Sequence, residues 1–232
     1  MAQGIGGGSP GASSAGLQAE KGTSHPSARG VFYLIAGPAG VGKTTLLKRL
    51  LSEEKKLARA ISVTTRQPRV GETDGVAYHF WDEKRFKEAL ARGEFLEAAQ
   101  VHGHFYGTLG AFVEEKLSAG IDVIKDIDVQ GAGLLRKLER YKYPQTVGIF
   151  VLPPSRAELA KRLEGRATED RKSLAERLAV ADAEIARINE FEYAIMNDVF
   201  ERAYAQLKAI RLAEHCRVER LRWAGSLQHF SK

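Results

Sequence analysis

Short apolar runs alternate with longer amphipathic stretches along most of this chain of 232 residues. The runs are rich in aliphatic side chains, and their lengths are typical of buried β-strands. Five of them predict strands, at residues 31–36, 60–65, 121–124, 147–152 and 193–196. Helical periodicity follows at residues 45–51, 110–118, about 170–190 and about 199–213. Strands that alternate with helices predict an α/β fold with a mostly parallel sheet covered on both faces.

Two further helices are predicted from their first residues. Asp82 is a suitable N-cap for a short helix that carries Phe86 and Leu90 on one face and ends before Gly93. Ser155 and Glu158 have the spacing of a capping box, in which each side chain satisfies a free backbone N–H group at the helix start. That helix follows directly on the strand predicted at 147–152.

Residues 1–29 have a different composition from the rest of the chain. They are mostly Gly, Ser, Ala and Pro, with almost no large apolar side chain. Such a segment buries too little apolar surface to offset the entropy of ordering it. We therefore predict a disordered tail over 1–29 and a folded domain that begins near Gly30.

One motif between the first strand and the first helix carries specific chemistry. Residues 37–44, GPAGVGKT, match the phosphate-binding pattern G-x-x-x-x-G-K-[ST] in the strand–loop–helix context that this pattern requires. The glycines let the backbone wrap an anion, and the helix N-terminus adds partial positive charge. Lys43 can reach the outer phosphates, while the Thr44 hydroxyl can ligate Mg²⁺. The loop predicts binding of a nucleoside triphosphate.

Overall composition narrows the class of protein. The chain is 44% hydrophobic and carries a formal net charge of +6, which suits a globular protein with an anionic ligand. The single cysteine, Cys216, excludes an internal disulfide framework. No apolar run approaches the ~20 residues of a membrane span, and no secretory signal is apparent, so a cytoplasmic protein is expected.

A second group of polar residues follows the strand predicted at 60–65. Arginines and hydroxyl side chains occur together there: Ser62, Arg66, Arg69, Tyr78 and Tyr106. Two arginines and several hydroxyls can hold a phosphate monoester. The same residues are also typical of a solvated turn, and taken alone they do not decide between these interpretations.

Longer motifs resemble those of the guanylate kinase family and occur in that family's order. Residues 62–78, SVTTRQPRVGETDGVAY, are similar to its GMP-phosphate loop, and residues 95–97 with 101–108 are similar to its guanine-binding segment. Residues 126–132 resemble its next motif. Residues 153–155, 158–159 and 162–166 resemble its lid, and Arg177-Leu with Asn197-Asp198 completes the set. The resemblance spans about residues 31–213.

The resemblance implies a P-loop NTPase-type parallel sheet flanked by helices, with a mixed α/β GMP-binding insertion and a mobile helical lid. The kinase domain would occupy residues 30–215, with a core of 30–60, 109–154 and 178–215. The GMP-binding region would be 61–108 and the lid 155–177. Residues 216–232 would be a basic C-terminal extension, for which a loose helix end is favoured over nucleic-acid contact.

The resemblance also implies a function: transfer of the γ-phosphate of ATP to GMP or dGMP, with Mg²⁺ as cofactor. ATP would contact Gly37, Pro38, Ala39, Gly40, Val41, Gly42, Lys43, Thr44, Thr45 and Asn197. The GMP phosphate would be held by Ser62, Arg66, Arg69, Tyr78 and Tyr106, while Glu97 and Thr108 read guanine and Asp126 and Asp128 line the same pocket. The catalytic cations would be Lys43, Arg162, Arg166 and Arg177.

The chemistry is consistent with these residue types. Phosphoryl transfer requires positioning and cations around the moving phosphoryl group, and the GMP phosphate oxygen itself attacks, so no protein nucleophile is needed. Glu97 can accept hydrogen bonds from guanine N1–H and the N2 amine, whereas adenine has a lone pair at N1. A site built in this way rejects the analogue that lacks the matching donors.

Two rival functions follow from the same fold. Scaffold domains of related sequence bind phosphopeptides, but their glycine loop is degraded, whereas Gly37, Gly42, Lys43 and Thr44 are all present here. A related kinase could phosphorylate another nucleotide, although Arg66, Arg69, Glu97 and Thr108 together favour GMP.

Lys125 departs from the family pattern, which usually has an apolar residue before the two aspartates at 126 and 128. A lysine in a sheet covered on both faces is unfavourable unless its amine reaches solvent or finds a partner. In one interpretation the stem packs on the core and the amine escapes at the strand end. In the other, the amine pairs with Asp126, Asp128 or a bound phosphate.

Overall fold

The computed structural model describes residues 29–101, 103–133, 135, 146–164, 171–218 and 220. The tail predicted over 1–29 lies outside these residues except at Arg29, and most of the 216–232 extension does too. The strands are β1 (Phe32–Ala36), β2 (Leu57–Arg59), β3 (Val63–Thr64), β4 (His79–Phe80), β5 (Phe95–Val101), β6 (His104–Leu109), β7 (Asp122–Asp126), β8 (Thr146–Leu152) and β9 (Tyr193–Met196). The helices with defined bounds are α1 (Lys43–Glu53), α2 (Glu83–Ala91), α3 (Gly110–Ser118), α4 (Arg156–Glu164), α5 (Arg171–Ile185) and α6 (Phe200–His215), with a 3₁₀ helix at Ile188–Glu190. Residues 129–133 are also helical.

The main sheet has five parallel strands in the order β2-β7-β1-β8-β9. The carboxyl ends of β1 and β7 therefore lie side by side, with Ile35 opposite Asp126. In open parallel sheets, ligands bind in the crevice beyond such strand ends. The predicted α/β class, with a parallel sheet flanked by helices, is confirmed.

The central strand β1 is buried along its whole length. Because successive side chains of a strand point to opposite faces, β1 contributes to two separate cores. Tyr33 and Ile35 belong to the cluster that includes the apolar faces of α1 and α6. Phe32 and Leu34 belong to the cluster that contains Val113 of α3. This double burial explains why the strand is uniformly apolar instead of alternating.

A second sheet, in the order β4-β3-β6-β5, lies between residues 63 and 109. Strands β5 and β6 form an antiparallel hairpin, and β6 also pairs antiparallel with β3. Helix α2 packs on this sheet through Phe86, whose ring stacks on Phe95 with centroids 4.4 Å apart and on Phe105 at 5.4 Å. Offset aromatic stacking at these distances adds to the stabilisation from burial alone.

The predicted helix starts are confirmed, whereas two other predictions are wrong and one strand was missed. The Asp82 side chain accepts a hydrogen bond from the Arg85 backbone N–H at 2.8 Å, and Ser155 Oγ accepts one from the Glu158 N–H at 3.1 Å. The strand predicted at 60–65 contracts to Val63–Thr64. Strand β2 was not predicted, and Leu90 is 44% exposed while Ala89 takes the buried position beside Phe86.

A buried carboxylate ties the last helix to the main sheet. Asp122, 1% exposed, accepts hydrogen bonds at 2.8 Å from Val31 N and from Arg211 Nε, and its Oδ2 lies 2.8 Å from His215 Nε2. Burial alone would raise the pKa of Asp122, but the bonds to His215 and Val31 hold it below its usual value. The carboxylate therefore stabilises the fold above the pKa of an unfolded aspartate, and this stabilisation is lost as pH falls through the lower folded pKa.

We expect Asp122→Asn to lower the free energy of unfolding at pH 7 by about 3 kcal/mol, because it leaves buried donors and a guanidinium without their carboxylate. Urea unfolding at pH 7 and pH 3 measures this, and the difference between variant and wild type should shrink at the lower pH. The matched control is Asp182→Asn, since the Asp182 ion pair with Arg156 is half exposed and contributes less than about 1 kcal/mol. Equal effects of both substitutions would contradict the prediction.

Within the described part of the chain, no helix is both long and apolar enough to cross a membrane.

Candidate active site

A cavity of about 580 Å³ opens between the carboxyl edge of the main sheet and the second sheet. The glycine loop, including Lys43 and Thr44, lines one side. The other side is lined by several residues predicted to bind the acceptor and by acidic residues of the main sheet: Ser62, Tyr78, Glu97, Tyr106, Asp126 and Asp128. Two groups of residues that are far apart in sequence therefore share one space.

The glycine loop has a backbone that only glycine tolerates at two positions. Gly37 and Gly42 have φ of 138° and 101°. A β-carbon on Gly37 would lie 2.3 Å from the Val151 carbonyl oxygen, and one on Gly42 would lie 2.3 Å from Asn197 Nδ2. Helix α1 begins directly after Gly42, with no side-chain cap and no acidic residue in its first turn. Its free N–H groups and dipole are thus available to an anion.

Lys43 lies over the loop. Its Nζ donates to the carbonyl oxygens of Gly37, at 2.6 Å, and Pro38, at 3.3 Å. These bonds hold the ammonium group against the loop, and Lys43 lines the cavity there. A cation in this position can neutralise charge on phosphate oxygens that the loop amides contact.

Asn197 connects the loop to α4. Its Nδ2 donates to the Val41 carbonyl oxygen at 2.7 Å in a buried bond, and its own carbonyl oxygen accepts from Arg162 Nη1 at 3.2 Å. Arg162 also donates to Glu158 at 3.1 Å. The predicted contact of Asn197 with adenine stays a prediction, whereas its contact with the loop is direct.

The structure describes two of the three predicted lid arginines, Arg162 and Arg177. Helices α4 and α5 share a small apolar cluster of their own, made of Leu159, Leu163, Leu178 and Ala181. Arg162 is half-buried beside Asn197, and Arg177 is exposed on α5. Arg166 lies outside the described residues. In the part of the chain that is described, neither Arg162 nor Arg177 lines the cavity.

The predicted phosphate-binding arginines form a cluster with a carboxylate. Arg66 Nη2 donates to both Glu72 oxygens at 2.9 Å, and the Arg69 backbone N–H donates to Glu72 at 2.8 Å. The Arg69 backbone bond and the Arg66 guanidinium hold the pKa of Glu72 below its usual range. The Arg66 guanidinium lies 5.5 Å from the ring centroid of Tyr78, which packs edge-on against Tyr106. Sequence analysis missed Glu72, since nothing local distinguishes it from a solvated carboxylate.

The predicted base-reading pair faces each other across the β5–β6 hairpin. Glu97 and Thr108 are partners in the strand register, and Thr108 Oγ1 donates to Glu97 Oε1 at 2.5 Å. Thr108 is buried, and the Glu97 side chain is 9% exposed. The hydrogen bond restrains the carboxylate of Glu97, which lines the cavity.

Lys125 joins this pair, contrary to one of the two interpretations above. Its side chain is 2% exposed, so its amine does not reach solvent. The Nζ donates to Ser62 Oγ at 2.7 Å and lies 3.7 Å from Glu97 Oε1. Its direct partners are therefore Ser62 and Glu97, not the predicted Asp126 and Asp128, and Ser62 itself lies beside the base-reading pair.

Acidic groups line the cavity near Lys43. Burial raises the pKa of Asp126, against the attraction of Lys43, Arg59 and Lys125. Burial likewise raises the pKa of Glu184, which faces the same space from α5. Asp128 accepts a hydrogen bond from the Gly131 backbone N–H at 2.7 Å. Glu184 and Arg59 were missed by sequence analysis, because a charged residue in a charged stretch gives no local signal of burial.

Comparison with known proteins agrees with this geometry. A family model described as guanylate kinase matches residues 29–214. The guanylate kinase of Dechloromonas aromatica is 45% identical over 181 residues, covering 78% of this chain and 88% of the relative. The guanylate kinase of Clostridium perfringens is 44% identical over 198 residues, covering 85% and 90%. A crystal structure of guanylate kinase from Anaplasma phagocytophilum matches with a TM-score of 0.66 and 30% identity, covering 83% of this chain and 90% of that one.

Proposed function

The chain belongs to the guanylate kinase family, and from this premise we propose that it transfers the γ-phosphate of ATP to GMP, with ADP and GDP as products. The observation that carries the proposal is the shared cavity, which is lined by the glycine loop with Lys43 and by Glu97, whose carboxylate Thr108 restrains. A nucleoside triphosphate on the loop and a purine monophosphate at Glu97 would meet in this one space. Such proximity supplies much of the rate enhancement in phosphoryl transfer.

The acceptor is held at both of its ends. Guanine N1–H and the N2 amine donate to Glu97, whose orientation is set by Thr108. Of the predicted phosphate ligands, Ser62 is bonded to Lys125 near Glu97. The phosphate therefore binds the other four: the guanidinium groups of Arg66 and Arg69 and the hydroxyls of Tyr78 and Tyr106. The bonds from Arg66 Nη2 to both Glu72 oxygens, and from Nη1 to the Gln67 carbonyl oxygen at 2.7 Å, hold the guanidinium in place, and its Nε–H and second Nη1–H are the donors for the phosphate.

The chain divides into three functional parts in this proposal. Residues 30–60, 109–154 and 178–215 form the core, residues 61–108 the GMP-binding region and residues 155–177 the lid. The separate sheet between residues 63 and 109 and the separate apolar cluster of α4 and α5 support this division. Neither Arg162 nor Arg177, the two described lid arginines, lines the cavity. The proposal therefore requires closure of the lid, which would bring these two and Arg166 to the transferring phosphoryl group.

Magnesium fits the donor atoms that line the cavity. The Thr44 hydroxyl and the carboxylates of Asp126 and Asp128 are hard oxygen donors of the kind that Mg²⁺ prefers. Among the described residues, no three His, Cys, Asp or Glu side chains are grouped so as to hold a metal alone. This suits an ion that arrives with ATP, keeps several waters and takes other ligands from phosphate oxygens. Bound there, Mg²⁺ supplies charge neutralisation of the phosphates.

An acceptor panel tests the proposal. With ATP and Mg²⁺, ADP release should be measured with GMP, dGMP, AMP, UMP and CMP in turn. We expect turnover with GMP and dGMP, and kcat/KM at least about 100-fold lower with the other three, because they lack the paired donors that Glu97 requires. Omission of the acceptor controls for ATP hydrolysis. Comparable turnover of AMP would contradict the assignment of Glu97, and absence of GDP formation would overturn the function.

A further inference from the structure

The buried ammonium group of Lys125 is not used by the function proposed above. The side chain lies on β7, is 2% exposed and lines the cavity. An ammonium group has three N–H donors. Among the described residues only Ser62 Oγ accepts from it, at 2.7 Å, since Glu97 Oε1 at 3.7 Å is beyond hydrogen-bonding distance. Donor capacity therefore remains at the edge of the cavity.

Burial of the Lys125 ammonium group is unfavourable when no ligand is bound. Burial lowers the pKa of Lys125 and Arg59 lowers it further, while Glu97, Asp126 and Asp128 act in the opposite direction. A buried charge with one hydrogen bond destabilises a fold unless further partners are supplied. A ligand that offers a hydrogen-bond acceptor beside Glu97 would supply one.

Guanine has such an acceptor in the required position. Along its pairing edge, the O6 acceptor is next to N1–H, which is next to the N2 amine. If the Glu97 carboxylate accepts from N1–H and N2–H, the O6 atom lies beside the oxygen that receives N1–H. Lys125 Nζ lies 3.7 Å from Glu97 Oε1, so a guanine that donates N1–H to this carboxylate places O6 within reach of the ammonium group. Adenine has an amine in place of O6, which would oppose the ammonium group.

We propose that Lys125 is a specificity-determining residue that donates a hydrogen bond to O6 of the purine acceptor, alongside Glu97. This inference rests on the proposed function, because it takes GMP as the acceptor. Ser62 Oγ holds the ammonium group in place, and Glu97 balances its charge. Together the carboxylate and the ammonium group match all three polar positions on the guanine edge.

The test compares GMP with 6-thio-GMP, in which a sulfur that accepts hydrogen bonds weakly replaces O6. Lys125→Met keeps a long unbranched side chain without donors. We expect this substitution to lower kcat/KM for GMP by about 30-fold, the value of one hydrogen bond to a charged group, and that for 6-thio-GMP by only about 3-fold. The ratio of the two constants should therefore fall about 10-fold. The exposed Lys84→Met on α2 is the matched control and should leave the ratio at its wild-type value.

The ratio of kcat/KM for GMP to that for 6-thio-GMP distinguishes a role of Lys125 in base recognition from a purely structural role. A loss of equal size with both nucleotides would show that Lys125 acts only through the fold, and would overturn the proposal. If Lys125→Met does not fold, as judged by thermal unfolding and by KM for ATP, Lys125→Leu, which also lacks donors, takes its place, and a wild-type ratio in that variant would overturn the proposal equally. Failure of the wild-type protein to form GDP is a different result, and it would overturn the proposed function itself.

Discussion

Replacing Lys43 by methionine is expected to lower kcat for GDP formation by about 10³-fold, the magnitude seen when a preorganised charge-stabilising donor is removed from an active site. In the structure this ammonium group bonds to Gly37 and Pro38 and lines the cavity. Methionine keeps the length of the side chain but cannot compensate the charge that develops on the transferring group. Steady-state kinetics at saturating ATP and GMP measure the loss.

The control for this substitution lies on the same helix. Lys48 is exposed on α1, and Lys48→Met should retain wild-type kcat. GMP affinity, measured by calorimetry without ATP, should change little in Lys43→Met, because the acceptor contacts lie on the other side of the cavity. Retention of kcat within tenfold in Lys43→Met would be incompatible with a catalytic role for this lysine.

Replacing Glu97 by glutamine should lower kcat/KM for GMP by about 10³-fold. A site built to hydrogen-bond a specific group binds the transition state much more weakly when one donor or acceptor is mismatched. The new amide offers one acceptor, and its NH₂ group opposes a guanine donor. It also removes the charge that balances Lys125, 3.7 Å away. Glutamine matches adenine better, because its NH₂ group can donate to adenine N1 and its carbonyl oxygen can accept from the adenine N6 amine. We therefore expect kcat/KM for AMP to rise. The ratio of kcat/KM for GMP to that for AMP should then fall more than about 10³-fold.

The comparison variant for this experiment is Glu94→Gln. Glu94 lies just before β5 and forms an exposed ion pair with Arg92 at 2.6 Å, so its replacement should leave both constants near wild type. KM for ATP should also be unchanged in Glu97→Gln, because the glycine loop is intact. A GMP:AMP ratio that stays at the wild-type value in Glu97→Gln would remove the carboxylate from base recognition.

Local signals in the sequence were enough to predict some of the helices and strands. Strand β9 and helix α3 match their predicted bounds, since apolar runs and the flanking Gly120 mark them without help from distant residues. Strand β2 was missed, because only Leu57 of its three residues is buried and pairing with β7 creates the strand. Leu90 was misassigned because α2 buries Phe86 and Ala89, three residues apart, and turns Leu90 outward.

Some residues of the candidate site could likewise be predicted from local sequence, and others could not. The glycine loop could be predicted from eight consecutive residues, because its chemistry is in the backbone. Glu97 and Thr108 were assigned only through the resemblance to a family, since nothing local reveals that a hairpin brings them together. The partners of Lys125 were not predictable at all: Ser62 is 63 positions away along the chain, and only the packing of the second sheet against β7 joins them.

The double role of Asn197 has a consequence for how ligand binding at the glycine loop and movement of α4 influence each other. One side chain amide restrains the glycine loop at Val41, and the carbonyl of the same residue restrains α4 through Arg162. Any ligand that reshapes the loop therefore alters the free energy of moving α4. By thermodynamic reciprocity, anything that draws α4 inward alters affinity at the loop by the same factor. Ligand binding at the glycine loop and movement of α4 are thus energetically linked through Asn197, before any ligand contacts both elements.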